Sequence, residues 1–384
     1  MAAQPGPSLT TDPAADRSAV SAAGPDPAVP PADDDTVADG DVPEPHDNES
    51  GSVGSSAEFS NFSVELSVDL DDDGRIHSAS DSATGASPSS VSVSSSVYKF
   101  VTENGRTFHK YKEGKYYLPN DEKEQHRLDL QHAISRWLLK GKLGLAPVQN
   151  PKRVLDVGTG TGIWAVEFAE ENPDSEVLGT DLSPIQPDYL PPNCRFEIDD
   201  VEDEWVFHHK FDYIHGRYLL LFLKDWNHVF KSFYKNLHPG GWAEFQEIII
   251  CFQSIDGSIE GTALQRWNTL LLEGIRKMGR RPTEALRCKK WMAEAGFVNI
   301  SEKKFAVPMN PWAKGKVQKA LGAMQMANNL EGVDGLTMTV FTRSLGWTPA
   351  QVEEMLVDVK RDMKDRSIHA YITVVVAWGQ KPYE

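Results

Sequence analysis

The sequence predicts an α/β fold of the Rossmann-like kind, a parallel sheet wound by alternating strands and helices. Three observations carry this. Residues Arg153 to Trp164 read as a buried strand (Val154 to Val157) that breaks into alternate glycines, Gly158, Gly160 and Gly162, and then enters a helix. Downstream of that turn, strand and helix patterns alternate, which is the signature of a parallel sheet. An acidic residue, Asp181, stands at the carboxyl end of the second strand, where nucleoside-binding α/β folds hold a ribose.

The elements follow in order. Leu118-Pro119-Asn120 leads into a helix with Asn120 as its expected cap and Asp121 and Glu122 in its first turn, where they suit the helix dipole. Leu130, Ile134, Trp137 and Leu138 follow at helical spacing. Their simplest role is to dock the helix on the core; a lid that brings Tyr116 and Tyr117 to a ligand is the alternative. The glycine turn comes next. Glycines let backbone approach a ligand closely, and free amides with the positive end of a helix are expected to face it. A dinucleotide fingerprint places its third glycine where Ile163 stands. Here the glycine falls at Gly162, and Asp156 precedes the first glycine by two residues.

Glu176 to Thr180 and Cys194 to Ile198 are the second and third strands, the latter ending in Asp199-Asp200, a carboxylate placed to meet an adenine amino group. Phe211 to Ile214 is the fourth strand. His215 and Arg217 follow it, His215 as a base or a packing residue, Arg217 to orient an acceptor or to pair with an acid. Asp225 to Leu237 is an amphipathic helix stopped by His238-Pro239-Gly240-Gly241, and Trp242 to Ile250 is the fifth strand, with Glu247 towards its end. Phe297 to Val307 and Ala370 to Trp378 are the last two strands. Helical patterns at about 252–285 and 310–366 interrupt this part of the chain and are expected to cap a pocket.

Composition divides the chain. Of 384 residues and a net charge of −17, the first 98 residues hold 18 of the 56 acidic side chains and only two of the 39 basic ones, leaving 38 acidic against 37 basic in the remainder. Residues 1–97, rich in Pro, Ala, Ser and Asp, lack the apolar surface to offset chain entropy and are expected to be disordered. Asp69-Leu-Asp-Asp-Asp-Gly74 begins like a calcium loop, but Ser80 stands where a bidentate Glu is required. The near-neutral body and acidic tail argue against direct nucleic-acid binding. No run of eighteen apolar residues suggests a membrane span, and no basic-apolar start suggests a secretory signal. Three scattered cysteines suggest reduced thiols and no metal site, so a cytoplasmic protein is expected, or a nuclear one if it is a regulator.

Family resemblance sharpens these expectations. The D-x-G-x-G-x-G pattern of Asp156 to Gly162 resembles the S-adenosylmethionine (SAM) loop of class I methyltransferases, and the L-x-P-G-G stop before the fifth strand recurs in them. Further motifs resemble the fungal LaeA-like methyltransferases: V-L-D-V-G-T-G-T-G-I-W-A with D-L-S-P-I-Q-P, E-N-G-R-T-F-H from Glu103, Y-L-P-N-D-E-x-E-Q-x-R-L-D from Tyr117, F-D-Y-I-H-G-R, and I-H-A-Y from Ile368 to Tyr371. The resemblance covers roughly residues 98–384. It implies a seven-stranded class I methyltransferase sheet of order 3-2-1-4-5-7-6 with helical cap insertions. SAM is the implied cofactor, with Asp156, Gly158, Gly160, Gly162, Asp181 and Asp200 as its site. Direct transfer to an N or O atom of a small-molecule acceptor follows, with Glu247, His215 and Tyr218 as candidate bases and no metal. The group also includes nuclear regulators that associate with velvet-type proteins, which is the alternative function.

Overall fold

The computed structural model describes residue 66 and residues 100–384, apart from 113 and 220. The acidic tail, with its calcium-loop-like run, therefore lies outside the described residues except for Leu66, which packs against a small cluster of Trp312, Ala313 and Tyr371.

Two short strands, β1 (Phe100–Glu103) and β2 (Arg106–His109), form an antiparallel hairpin. Its turn is Asn104-Gly105, both at positive φ, the combination a tight hairpin turn requires. Helix α1 (Glu122–Leu138) is capped by Asp121, whose side chain accepts from the Glu124 amide, and not by Asn120 as expected. The reason is Arg106. Its guanidinium holds the Asp121 carboxylate at 2.5 and 2.7 Å, while Asn120 is buried and shared between Thr107 and Ser183. The apolar stripe docks as expected except at one position: Ile134 is buried with Leu130 and Leu138 packed beside it, but Trp137 is 43% exposed. The buried face of α1 carries Glu124, Arg127, His132 and Ser135, a polar face, and it covers a cavity described below.

The main sheet follows the expected alternation: β3 (Arg153–Val157), α2 (Ile163–Glu171), β4 (Glu176–Asp181), β5 (Cys194–Ile198), β6 (Phe211–Arg217), α3 (Trp226–Asn236) and β7 (Leu237–Ser254). Then come α4 (Ala263–Lys277), α5 (Cys288–Ala295), β8 (Val298–Pro308), α6 (Lys316–Val340), α7 (Pro349–Lys364) and β9 (Ala370–Gln380). The seven strands lie in the order β5-β4-β3-β6-β7-β9-β8. The first five are parallel to one another, and β9 runs antiparallel to both β7 and β8. This is the 3-2-1-4-5-7-6 order of a class I methyltransferase sheet. Strand β7 begins earlier than expected, because the His238-Pro239-Gly240-Gly241 stop is absorbed as a register shift between Phe211↔Leu237 and Tyr213↔Trp242.

Packing divides into layers. On one face, Phe230, Phe233, Phe245 and Trp291 bury α3 and α5 against the strands. On the other, Trp164, Phe168 and Tyr213 bury α2. A separate cluster, Trp267, Leu271, Val340, Phe341, Val352 and Val359, ties α4, α6 and α7 into one helical layer. Thr348 and Gln351 form a reciprocal capping box with Pro349 in the first turn, which makes α7 start sharply.

Candidate active site

The glycine loop is a turn first and a donor surface second. Gly158, Gly160 and Gly162 all have positive φ (65°, 59° and 79°), a conformation that costs an L-residue about 1–2 kcal/mol. A Cβ on Gly158 would lie 2.3 Å from Leu219 Cδ2, and one on Gly162 2.4 Å from Phe196 Cζ. The expectation of free loop amides needs correcting. The Thr159 amide donates to Thr180 O (2.9 Å), that of Gly160 to Asp181 Oδ2 (2.8 Å) and that of Gly162 to Thr159 O (2.9 Å). A pyrophosphate would find three loop amides already engaged. What remains is a smooth, tightly folded backbone surface, suited to a ligand without phosphates.

Motifs far apart in sequence brace this turn. Thr161 donates to Asp129 on α1 (2.8 Å), and Gln186 donates to Gly160 O (2.7 Å). Asp156 turns inward, receiving the Thr159 hydroxyl (2.6 Å) and meeting His215 Nδ1 (2.7 Å). The His215 ring is fully buried and stacks on Trp164 at 3.9 Å and 4°. Asp156 and His215 therefore hold each other beneath the loop.

Asp181 sits at the end of β4 with one oxygen on the Gly160 amide and the other on the Ser183 amide (2.9 Å), and it lines the cavity. Burial pushes its carboxyl up to about 6, against the pull of those amides. Asp200 is buried at the end of β5. Burial raises its pKa, but Lys112 and Lys115, at 2.8 and 2.5 Å, outweigh that and hold it below the usual carboxylate range. These lysines were missed as site residues. The dense aromatic and lysine run from Thr107 to Tyr117 was the signal; of the two tyrosines in the lid alternative, Tyr116 lines the cavity and Tyr117 is instead buried in the apolar cluster of the helical layer.

Where β6 and β7 end, the remaining candidates gather. Tyr218 has φ 57°, a left-handed conformation that for a bulky residue stores strain. Its amide donates to Gln246 O (2.9 Å), and its hydroxyl bonds Ser135 on α1 (2.7 Å). Burial raises the phenol pKa, so at neutral pH Tyr218 is a protonated hydrogen-bonding group. Glu247 is buried, and its Oε1 accepts from the Leu219 amide (3.1 Å). Both line the cavity, as does Arg217.

One cavity of about 260 Å³ joins these groups. Its lining combines Gly158, Gly160, Asp181 and Asp200 at the glycine loop and strand ends with Trp267 and Leu271 of α4, Val333 and Leu336 of α6 and Met363 of α7. The residues present fit SAM. A carboxylate can take a ribose, the glycines allow a turn that side chains would not, and the lining offers both polar and apolar groups. Among the described residues no cluster of three or more His, Cys, Asp or Glu could hold a metal ion, and the cysteines are free.

Comparison with known proteins agrees with this geometry. Residues 124–302 match a methyltransferase domain family. The chain is 40% identical to methyltransferase pytC of Aspergillus terreus, an alignment covering 77% of this chain and 92% of that protein. It is 33% identical to probable methyltransferase tdiE of Emericella nidulans (76% and 92% covered). Identity is also 33% to the protein-methionine methyltransferase laeA of the same organism (74% and 77% covered). The chain belongs to the LaeA-like family of fungal methyltransferases, SAM-dependent enzymes built on the class I sheet.

Proposed function

We propose that the protein methylates an N or O atom of a small, largely apolar molecule in fungal secondary metabolism. The observation that carries this is the apolar part of the cavity lining, where Trp267, Leu271, Val333, Leu336 and Met363 of the helical layer join Ile248, Ile250 and Phe252 of β7. A small hydrophobic acceptor gains from that burial at roughly 25 cal/mol per Å².

In this reading Asp181 accepts the ribose hydroxyls and Asp200 the adenine amino group. Gly158, Gly160 and Gly162 shape the floor, which Asp156 and His215 support from below. When bound, SAM supplies a methyl group on a sulfonium, which leaves with its electron pair as a neutral thioether. The enclosing helices exclude water, and the strand ends align the acceptor, whose proximity alone contributes several kcal/mol. Where the acceptor is a hydroxyl, its proton passes to Glu247 as the oxygen attacks; where it is an ammonium, the proton passes to Glu247 first and the freed nitrogen lone pair attacks, with Tyr218 orienting the acceptor as a hydrogen-bond donor.

A second reading comes from the relatives called secondary metabolism regulators and, in one case, a protein-methionine methyltransferase. There the acceptor is a protein and velvet-type partners set the location, nuclear instead of cytoplasmic. Methyl-labelled SAM separates the two. Incubated with the protein and either a metabolite extract or a protein fraction, label should pass to the small-molecule fraction. Label confined to protein would overturn the small-molecule assignment.

A further inference from the structure

Three cationic side chains line the cavity: Lys115, Arg127 and Arg217. Two have anions of their own. Lys115 is paired with Asp200 and Glu202, and Arg127 with Glu124 at 2.7 Å. Arg217 forms no ion pair within the described residues. Its Nη2 bonds His132 Nδ1 at 3.0 Å, and His132 Nε2 in turn meets Glu167 at 3.0 Å. The order of this chain sets the protonation. A guanidinium can only donate, so His132 Nδ1 accepts, its Nε2 carries the proton, and the ring is neutral. Arg217 is thus held at one nitrogen of its planar fork by an uncharged partner on α1 and lies over the Tyr218 ring, 5.7 Å from its centre, and it lines the cavity. The carboxylates of Asp156 and Glu167 favour its charge only through space, with no ion pair to it among the described residues, and such a cation is costly to enclose.

Strand register says where that fork stands. Val157 pairs with Gly216, so Arg217 lies level with Gly158, one strand away from the glycine loop. The candidate groups for the adenosine end, Asp181 and Asp200, follow β4 and β5 on the other side of β3. A ligand that begins at β5 and β4 and crosses the glycines of β3 ends over β6. For SAM that far end is an amino acid, and its carboxylate offers two coplanar oxygens to a guanidinium fork.

We propose that Arg217 binds the carboxylate of the cofactor's methionine moiety, with His132 as the positioning residue that fixes the guanidinium. This rests on the SAM reading of the cavity. Arg217 would then discriminate cofactor from carboxylate-free adenosyl thioethers. It would play no direct part in choosing the methyl acceptor.

Calorimetry with three ligands tests this without turnover: S-adenosylhomocysteine, its decarboxylated analogue, and 5′-methylthioadenosine, which lacks the amino-acid end. The wild-type protein should bind S-adenosylhomocysteine roughly 10- to 100-fold more tightly than the decarboxylated analogue, the range for a charge-assisted pair. Arg217→Met should remove that preference and leave both carboxylate-free ligands bound as before, while Arg217→Lys should restore part of it. His132→Ala should weaken only S-adenosylhomocysteine, by a smaller factor. Equal losses for all three ligands would show a structural role and overturn the proposal. Unchanged S-adenosylhomocysteine affinity in Arg217→Met would overturn it too, and a raised acceptor KM in that variant would reassign the fork to an acceptor anion. Failure of the wild-type protein to bind any of the three would instead refute the SAM reading on which it stands.

Discussion

In the glycine-loop part of the cavity lining the working groups are backbone turns and side chains within a few residues of a strand end. In the other part they belong to helices α4, α6 and α7, brought together from separate insertions and tied by their own apolar cluster. The first is a local glycine turn pinned by residues from later strand ends and loops: Gly160 is held by Asp181 and Gln186, and Asp156 by Thr159 and His215. The second is a shaped apolar wall in which several side chains can change without disturbing a turn. The difference teaches that cofactor and acceptor recognition are physically separable here, one built on strand ends and the other on the helical layer.

Substitutions can break that separation or confirm it. The largest effect is expected at Asp181. Asp181→Ala removes a ribose acceptor and leaves the Gly160 and Ser183 amides without their partner, each worth about 1–3 kcal/mol. SAM affinity by calorimetry should fall roughly 100-fold or more while circular dichroism stays folded. Unchanged affinity would mean the cavity holds its ligand elsewhere.

A change in the helical layer should act the other way. Leu336→Trp fills part of the cavity at the helical layer, and overpacking typically costs about 1–3 kcal/mol. Acceptor turnover should drop about tenfold, whereas SAM affinity should stay within about twofold of wild type. Equal loss of both would show that the two parts are not separable.

The smallest effect is a pH dependence. The Asp181 pKa of about 6 lies above the unfolded value near 4. The sign follows from linkage: in the free protein this group's stabilising contribution is full below about 4 and is lost as pH rises through 6. Ligand affinity runs oppositely, because only the ionised carboxylate accepts both ribose hydroxyls. SAM binding should weaken by up to about tenfold per pH unit as pH falls below 6, and Asp181→Asn should flatten that slope. A wild-type profile flat from pH 7 to 5 would contradict Asp181 as the ribose acceptor.

Much of this was readable beforehand where the signal is local. The strand–glycine–helix passage and the position of Asp181 follow from patterns spanning a few residues or one strand, whereas the seven-strand order was implied by the family resemblance. Two of the distinctive motifs brace the glycine turn, and a third ties together the chain segments that follow β7 and precede β9. Asp129 of the helix motif meets Thr161, Gln186 of D-L-S-P-I-Q-P meets Gly160, and His369 of I-H-A-Y meets Asp256 at 2.6 Å. The errors have the opposite character. Asn120 lost the capping position because Arg106, fourteen residues upstream, fixes Asp121 instead. Trp137 alone of the stripe lies outside, because the inward face of α1 also covers the polar cavity.

By itself the sequence determined the α/β alternation, the glycine turn and the carboxylate after β4, since backbone geometry and strand period are short-range properties. Tertiary structure alone decided which loop amides are already engaged, which carboxylates meet lysines, and that Arg217 reaches the cavity with no ion pair among the described residues. Such facts depend on which groups from distant segments share one low-dielectric space, and pairing across that space is not written in any single stretch of chain.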